Sequence, residues 1–184
     1  MKERIQNLFA QQIALREYNQ PLEKLAAHEQ TRLRSQVYKT YIKDLWIGTF
    51  HSLFSRLLRF DIEKYQSDKG HKWTRNFSIF DESDAQALVK DIVIKQLNLD
   101  DKKFEPRAVR YTISNAKNQG LSPQDFEREQ PNYRGRVIAE VYSHYQDRLA
   151  ENNALDFDDL ILIPVKLTLV MNNSILFYFL VEEI

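Results

Sequence analysis

The sequence contains no cysteine and only four glycines among its 184 residues. Without cysteine, these residues hold no disulfide, no thiolate metal site and no cysteine nucleophile, and the composition suits a reducing compartment. The glycines are isolated from one another, so the sequence has no glycine-rich loop ending in Gly-Lys-Ser or Gly-Lys-Thr. Such a loop cradles the phosphates of a nucleoside triphosphate, and its absence excludes that kind of site from these residues.

The sequence also lacks an excess of charge of either sign. It has 26 basic and 26 acidic side chains, so any binding of nucleic acid must come from local patches. A hydrophobic content of 43% is enough for a globular core. The first residues, Met1 to Ile5, contain no apolar signal core, and we therefore predict a cytoplasmic protein.

One stretch, Leu45 to Phe54, joins an apolar, β-prone run to the start of a helical pattern. The spacing predicts a strand that leads directly into a helix. In a strand-to-helix turn, backbone N–H groups and the positive end of the helix dipole point toward whatever lies above the turn. Thr49 and His51 can add a hydroxyl and an imidazole N–H, which suits a phosphate. The alternative is that Thr49 only caps the helix and His51 is half-buried.

A run of four helices is predicted between Asp81 and Asn153, after an extended segment at residues 76–80. Capping residues and first-turn prolines mark the helix starts, and Gly120 marks one helix end. In one of these helices Arg107, Arg110 and Lys117 could form a basic face for nucleic-acid phosphates. On periodicity alone this face is a solvated surface.

Two stretches near the C-terminus invite alternative interpretations. Asp156 and Asp159 have the spacing of a carboxylate capping box, and we prefer this structural role to a metal site or to a phosphohydrolase centre that includes Asp158. The apolar run from Leu160 to Val181 predicts a buried helix, a turn and a strand from Ser174 to Val181. A membrane span is the less favoured alternative because polar residues interrupt the run.

The segment Ile47 to Phe54 resembles motif Ib, a Thr-Phe-His segment, of the UvrD, PcrA and Rep family of superfamily 1 DNA helicases. In that family the Thr and His contact the backbone of single-stranded DNA. The resemblance therefore implies phosphate contacts for Thr49 and His51, with Phe50 packed beneath them. The stretch Ala154 to Ile161 resembles motif Ic, and the helical run resembles subdomain 1B.

The resemblance implies a mostly α fold with a small β component, in which a partial RecA-like α/β domain, 1A, is interrupted by the helical subdomain 1B. The expected domains are a 1A segment over residues 1–65, the 1B-like insertion over residues 66–153, and a return to 1A over residues 154–184. The match fades beyond Leu167. Glu182 and Glu183 therefore cannot be taken as the family's catalytic acidic pair.

The implied function is that of a fragment of an ATP-dependent 3′-to-5′ DNA helicase with a family role in repair and replication. Its partners would be single-stranded or forked DNA and the remainder of the helicase, with no membrane. The complete family enzymes use ATP and magnesium, but we expect no catalytic residue, metal or cofactor in this chain, and no ATP hydrolysis by it alone. The alternative is a helical protein-interaction module or an inactive remnant of a helicase gene.

Overall fold

A computed structural model describes residues 2–45 and 48–170 of the chain. Helices dominate these residues, accompanied by one two-stranded sheet. The expectation of a mostly α fold with a small β component is confirmed. The chain divides into two compact units, Met1–Thr49 and Phe50–Ile184.

The first unit is a helical hairpin. Helix α1 spans Lys2–Tyr18 and packs against helix α2, Ala27–Val37, which continues into a wider π-type turn at Tyr38–Ile42. Ala10 and Ala14 lie one helical turn apart and are fully buried, so their small side chains let the two helices approach closely. The other buried residues of this core are Leu22, Leu25, Leu33, Val37 and Ile42.

Among the described residues, the second unit contains six α-helices, two short strands, a 3-10 turn at Ile62–Lys64 and a π-type turn at Ile92–Gln96. In chain order the α-helices and strands are α3 (Phe50–Asp61), β1 (Ser78–Phe80), α4 (Glu82–Asp91), α5 (Pro106–Asn118), α6 (Pro123–Glu129), α7 (Tyr133–Glu151), β2 (Ala154–Asp156) and α8 (Asp159–Val170). Four helices, α4 to α7, therefore lie between the two strands. The predicted run of four helices is confirmed.

The helix boundaries follow the local signals of the sequence. The side chain of Asp81 accepts a hydrogen bond from the Asp84 N–H and caps α4, and Ser122 caps α6 in the same way. Pro106 occupies the first turn of α5. After α5 the chain turns at Gly120, whose φ of 75° lies in the left-handed region that glycine adopts without strain.

Strands β1 and β2 pair in parallel, with Ser78 opposite Ala154 and Phe80 opposite Asp156. β1 forms the second part of the predicted extended segment. β2 was not predicted, because three residues directly before an acidic helix cap carry too short a pattern to indicate a strand. The strand predicted at the beginning of the Leu45–Phe54 stretch is not seen at Leu45 or Gly48, and residues 46 and 47 lie outside the described part of the chain. The predicted strand from Ser174 to Val181 also lies outside it.

The core of the second unit is formed mainly by α4, α5 and α7. Its buried residues include Val89, Ile92, Val109, Ile113, Val141, Tyr145 and Leu149. The Trp73 indole N–H donates to the Ala154 carbonyl at 2.9 Å, which fixes the start of β2. In the part of the chain that the structure describes, no helix has the length and apolar character needed to cross a membrane.

The first turn of α7 depends on a glycine. A Cβ atom built on Gly135 would lie 2.0 Å from the Gln130 carbonyl oxygen, so no side chain fits there. Asn132 caps this turn by accepting from the Gly135 N–H at 2.8 Å. The start of α7 is thus held against the end of α6.

We expect Gly135→Ala to destabilise the chain by about 1–3 kcal/mol, because the added methyl group must displace backbone atoms. A loss of stability would be informative, because Gly→Ala inside a helix otherwise stabilises a protein. Urea unfolding followed by circular dichroism measures the change. Glu140→Ala on the exposed side of α7 is the matched control and should change little; equal or greater stability of Gly135→Ala would contradict the packing described here.

Candidate nucleic-acid interface

The predicted phosphate-binding residues lie at the beginning of α3. The helix begins at Phe50, so Thr49 directly precedes it and His51 lies in its first turn. Thr49 is exposed and His51 is half-buried. α3 is amphipathic, and Leu57 and Leu58 on its apolar face are buried.

Phe50 differs from the expectation that it packs beneath its neighbours. Its side chain is 72% exposed, and its ring stacks on that of Phe54 at 6.1 Å. Phe50 lies on the same helical stripe as Leu57 and Leu58 but about two turns earlier, before the packed part of α3 begins. Its ring therefore extends from the helix instead of lying under Thr49 and His51.

His51 is oriented by an aromatic neighbour from the second motif-like stretch. The ring of Phe157 meets the His51 ring edge-on, with centroids 5.4 Å apart. Phe157 lies between β2 and α8, and α8 packs against α3. The segment that resembles motif Ib and the segment that resembles motif Ic are therefore neighbours in space, which the sequence alone did not reveal.

A buried lysine organises the acidic stretch beside Phe157. The Lys117 ammonium lies 2.8 Å from both carboxylate oxygens of Asp156 and 2.7 Å from Oδ1 of Asp159. The Tyr145 hydroxyl donates to Asp156 Oδ2 at 2.8 Å. Lys117 is only 1% exposed, and both carboxylates are likewise buried. Helices α5, α7 and α8 and strand β2 thus meet at one set of charges.

Arg110 forms the outer part of the same cluster. Its guanidinium donates to Asp158 at 3.0 Å and to Glu82 at 3.1 Å, and it lies 3.9 Å from Asp156. Ser114 donates to the second oxygen of Asp158 at 3.0 Å. Arg110 is 3% exposed. We refer to Arg110, Lys117, Asp156, Asp158 and Asp159 as the ion cluster.

The expectation of an exposed basic face on α5 is therefore wrong for Arg110 and Lys117. Both lie on the same helical face as Ile113, which is buried in the core, whereas Arg107 is exposed. The signal that was missed is charge balance: two cations on an otherwise apolar face need buried partners, and three acids lie at the end of β2 and directly after it. Glu82, Ser114 and Tyr145, which complete the cluster, carried no recognisable signal in the sequence.

Asp156 and Asp159 also bond to each other's backbone. The Asp159 N–H donates to Asp156 Oδ1 at 2.8 Å, and the Asp156 N–H donates to Asp159 Oδ2 at 3.4 Å. This reciprocal arrangement is that of a capping box at the start of α8. Over residues 2–45 and 48–170 no group of three acidic or histidine side chains has an arrangement that could hold a metal ion.

The cluster changes the acidity of its members. Burial disfavours ionised Asp156, but Lys117 and Arg110 outweigh that effect and lower the pKa of Asp156 to about 2. Burial and the Asp156 carboxylate raise the pKa of Asp159 to about 7, against the attraction of Lys117. Although burial opposes its charge, the two carboxylates raise the pKa of Lys117, which stays ionised.

We expect Lys117→Met to destabilise the chain by about 3–5 kcal/mol, because two buried carboxylates lose their shared counter-charge. Urea unfolding at neutral pH measures the effect. The control Lys95→Met removes an exposed lysine that pairs with Asp91 on the surface, and should have little effect. If both variants lost a similarly small amount of unfolding free energy, Lys117 would not be important for the stability of the fold.

The raised pKa of Asp159 gives a pH test. Because the folded chain keeps a proton that the unfolded chain releases, this group makes the free energy of unfolding fall as the pH rises from the ordinary value of 3.8 to about 7. Asp159→Asn should remove that fall. Unfolding at a series of pH values measures the slope; the same slope in wild type and variant would contradict the assignment.

Comparison with known proteins identifies the same family that the two motif-like segments resemble. Residues 1–180 match the model of the family described as UvrD/REP helicase N-terminal domain. The chain is 44% identical over 124 residues to the ATP-dependent DNA helicase PcrA of Bacillus subtilis (strain 168), covering 67% of this chain and 16% of that protein.

PcrA proteins of two staphylococci show the same relationship. The protein of Staphylococcus aureus (strain Mu50 / ATCC 700699) is 43% identical over 123 residues, and that of Staphylococcus epidermidis (strain ATCC 35984) is 41% identical over 123 residues. Each alignment covers 67% of this chain, which spans 16% of the length of either relative. The chain belongs to the UvrD/REP helicase N-terminal domain family.

Proposed function

We propose that this chain supplies part of the single-stranded DNA track of an ATP-dependent 3′-to-5′ DNA helicase, which binds single-stranded or forked DNA and unwinds duplex DNA in repair or replication. The observation that carries the proposal is the Thr49-Phe50-His51 segment at the start of α3, in a chain of a helicase family. The remainder of such a helicase would be its second partner.

Thr49 and His51 are the proposed contacts to the DNA backbone. Thr49, exposed before the helix, and the imidazole of His51 in its first turn can donate to phosphate oxygens, and the positive end of the helix dipole adds to the attraction. The edge-on contact with Phe157 fixes the plane of the His51 ring. Contacts of this kind position a strand without reading its sequence.

The proposed domain organisation is a 1A segment over residues 1–65, a 1B insertion over residues 66–153 and a return to 1A over residues 154–184. Support comes from the strand pair, since β1 and β2 are adjacent and parallel although four helices separate them in the chain. This is the pattern of a helical insertion between two strands of one sheet, and it favours an insertion that begins after β1 instead of at residue 66. A RecA-like 1A domain would extend that sheet.

Arg107 is a further proposed phosphate contact, since it is the exposed member of the three basic residues considered on α5. Arg110 and Lys117 have a different proposed role. By fixing the segment from Asp156 to Asp159, they hold Phe157 where it supports His51. They act on the DNA contact through the protein and not through a phosphate.

ATP and magnesium would act on parts of a helicase that this sequence does not contain, since it has no Gly-Lys-Ser or Gly-Lys-Thr loop. The proposed contribution of the chain is binding. We expect it to release no phosphate from ATP, with or without single-stranded DNA.

We expect Thr49→Ala and His51→Ala each to weaken binding of a fluorescein-labelled single strand by about tenfold, the loss of one hydrogen bond to a charged group. Fluorescence anisotropy at fixed salt concentration measures the affinity. Thr31→Ala and His28→Ala, which change exposed residues of α2, are the matched controls and should bind like the wild type. Unchanged affinity in both test variants would refute the site.

A second candidate function is that of a protein-interaction module. Ile161 and Val165 lie one helical turn apart on α8 and are 37% and 46% exposed, and Phe157, which lies just before the helix, is 42% exposed. Sedimentation that shows a concentration-dependent oligomer, together with no binding of single strands, would favour this function over the DNA track.

A further inference from the structure

A cavity in the second unit shares no residue with the start of α3. It lies between the segment that joins α3 to β1, the connection from α5 to α6, and helices α7 and α8. Its volume is about 70 Å³. One water molecule needs about 10–15 Å³, whereas an engineered apolar cavity that binds benzene measures about 150 Å³. The space therefore suits a group smaller than an aromatic ring, and we call it the Trp73 cavity.

Aromatic side chains form one part of the wall of the Trp73 cavity. The rings of Tyr65 and Trp73 are tilted against each other, with centroids 5.7 Å apart. Trp73 is buried and donates its indole N–H to the Ala154 carbonyl. The buried Tyr142 side chain donates its hydroxyl to the Leu121 carbonyl at 3.0 Å. Because these side chains are already fixed, a ligand would order few of them on binding.

A buried carboxylate, that of Asp159, also lines the cavity. Its Oδ1 lies 2.7 Å from the Lys117 ammonium, whereas its Oδ2 accepts a long hydrogen bond of 3.4 Å from the Asp156 N–H. A carboxylate oxygen has two lone pairs, so Oδ2 can accept a further and shorter bond. The ion cluster has three carboxylates and two cations and keeps one negative charge when Asp159 is ionised. A cation in the cavity would therefore be attracted.

The more exposed charges around the cavity balance one another. Lys69 pairs with Asp147 at 2.7 Å, and His71 Nε2 lies 3.4 Å from the same carboxylate. Asp68 and Lys166, which also line the cavity, carry opposite charges. These residues neither repel nor attract a cation strongly, so the charge preference of the cavity comes from the ion cluster.

We infer that the Trp73 cavity binds a small organic cation, an alkylguanidinium ion, which stacks on Trp73 and Tyr65 and donates to Asp159. A guanidinium group is planar and weakly hydrated, and it stacks on aromatic faces. Its N–H groups form charge-assisted hydrogen bonds with a carboxylate. A neutral group of the same shape would lose the charge attraction. The inference does not depend on DNA as a ligand of the chain.

Trp73 allows binding to be observed directly, because the chain contains only two tryptophans. In the full chain labelled with ¹⁵N-tryptophan, the Trp46→Phe variant assigns the indole resonance of Trp73. At about pH 8, above the pKa of about 7 of Asp159, methylguanidinium should shift this resonance saturably. Methylurea, a neutral molecule of the same shape, should bind at least about tenfold more weakly, the loss of one charge-assisted bond. Equal binding of the two, or no shift with methylguanidinium, would overturn the inference.

Two variants test the residues that would hold the cation. Asp159→Asn should weaken binding of methylguanidinium at least about tenfold while leaving binding of methylurea unchanged. Tyr65→Leu removes one stacking ring and should weaken it about fivefold. The matched control Tyr111→Leu, which changes an exposed tyrosine of α5, should bind like the wild type. If Asp159→Asn does not fold, the Tyr65 comparison decides, because Tyr65→Leu leaves the ion cluster intact; equal affinity of the two tyrosine variants contradicts the site.

The guanidinium group could come from a free small molecule or from an arginine side chain of another protein. N-acetylarginine methylamide carries the same group on a peptide backbone and distinguishes the two sources. If it binds as tightly as methylguanidinium, the cavity accepts an arginine side chain. Binding at least about tenfold weaker assigns the cavity to a free ion. Both results support a guanidinium site, and neither depends on the outcome for Thr49 and His51.

Discussion

The shared ion pair of Lys117 with Asp156 and Asp159 is the interaction on which the second unit depends. One ammonium group lies within 2.8 Å of two buried carboxylates, and the Tyr145 hydroxyl and the Asp159 N–H also donate to Asp156. Burial of these charges is costly unless each finds a partner, so the arrangement permits few alternatives. It fixes the end of β2 and the start of α8 against the last turn of α5.

This constraint connects the core to the proposed DNA contact. The residues between Asp156 and Asp159 are fixed at both ends, which sets the direction of Phe157, and Phe157 in turn meets the ring of His51. Arg110 secures the same segment from the outside through Asp158. A charge network that touches no ligand can therefore determine how an imidazole at the start of α3 faces solvent.

Much of the helical architecture could be predicted from local sequence signals. The caps at Asp81 and Ser122, Pro106 and the left-handed turn at Gly120 each mark a boundary through chemistry that acts within a few residues. β2 could not be predicted in this way. Its pairing with β1 joins residues that are distant in the sequence, and three residues show no periodicity.

The site was less predictable, because a sequence does not show which charged residues will pair in the folded chain. Arg110 and Lys117 have the spacing of a basic face, yet long-range pairing with Asp158 and Asp156 buries both. Phe50 carries an apolar ring that the motif placed under its neighbours, whereas the helix presents it to solvent. Thr49 and His51 were predictable as candidates because their position relative to a helix start is a local property.

The chain contains four histidines. The most direct test of the DNA track is a nuclear magnetic resonance titration of the chain labelled with ¹⁵N-histidine. If the start of α3 holds a DNA backbone, addition of oligothymidylate will shift the ring resonances of His51 and leave those of His28, an exposed histidine on α2, unchanged. A His51 spectrum unaltered at concentrations that saturate binding would contradict the proposed track.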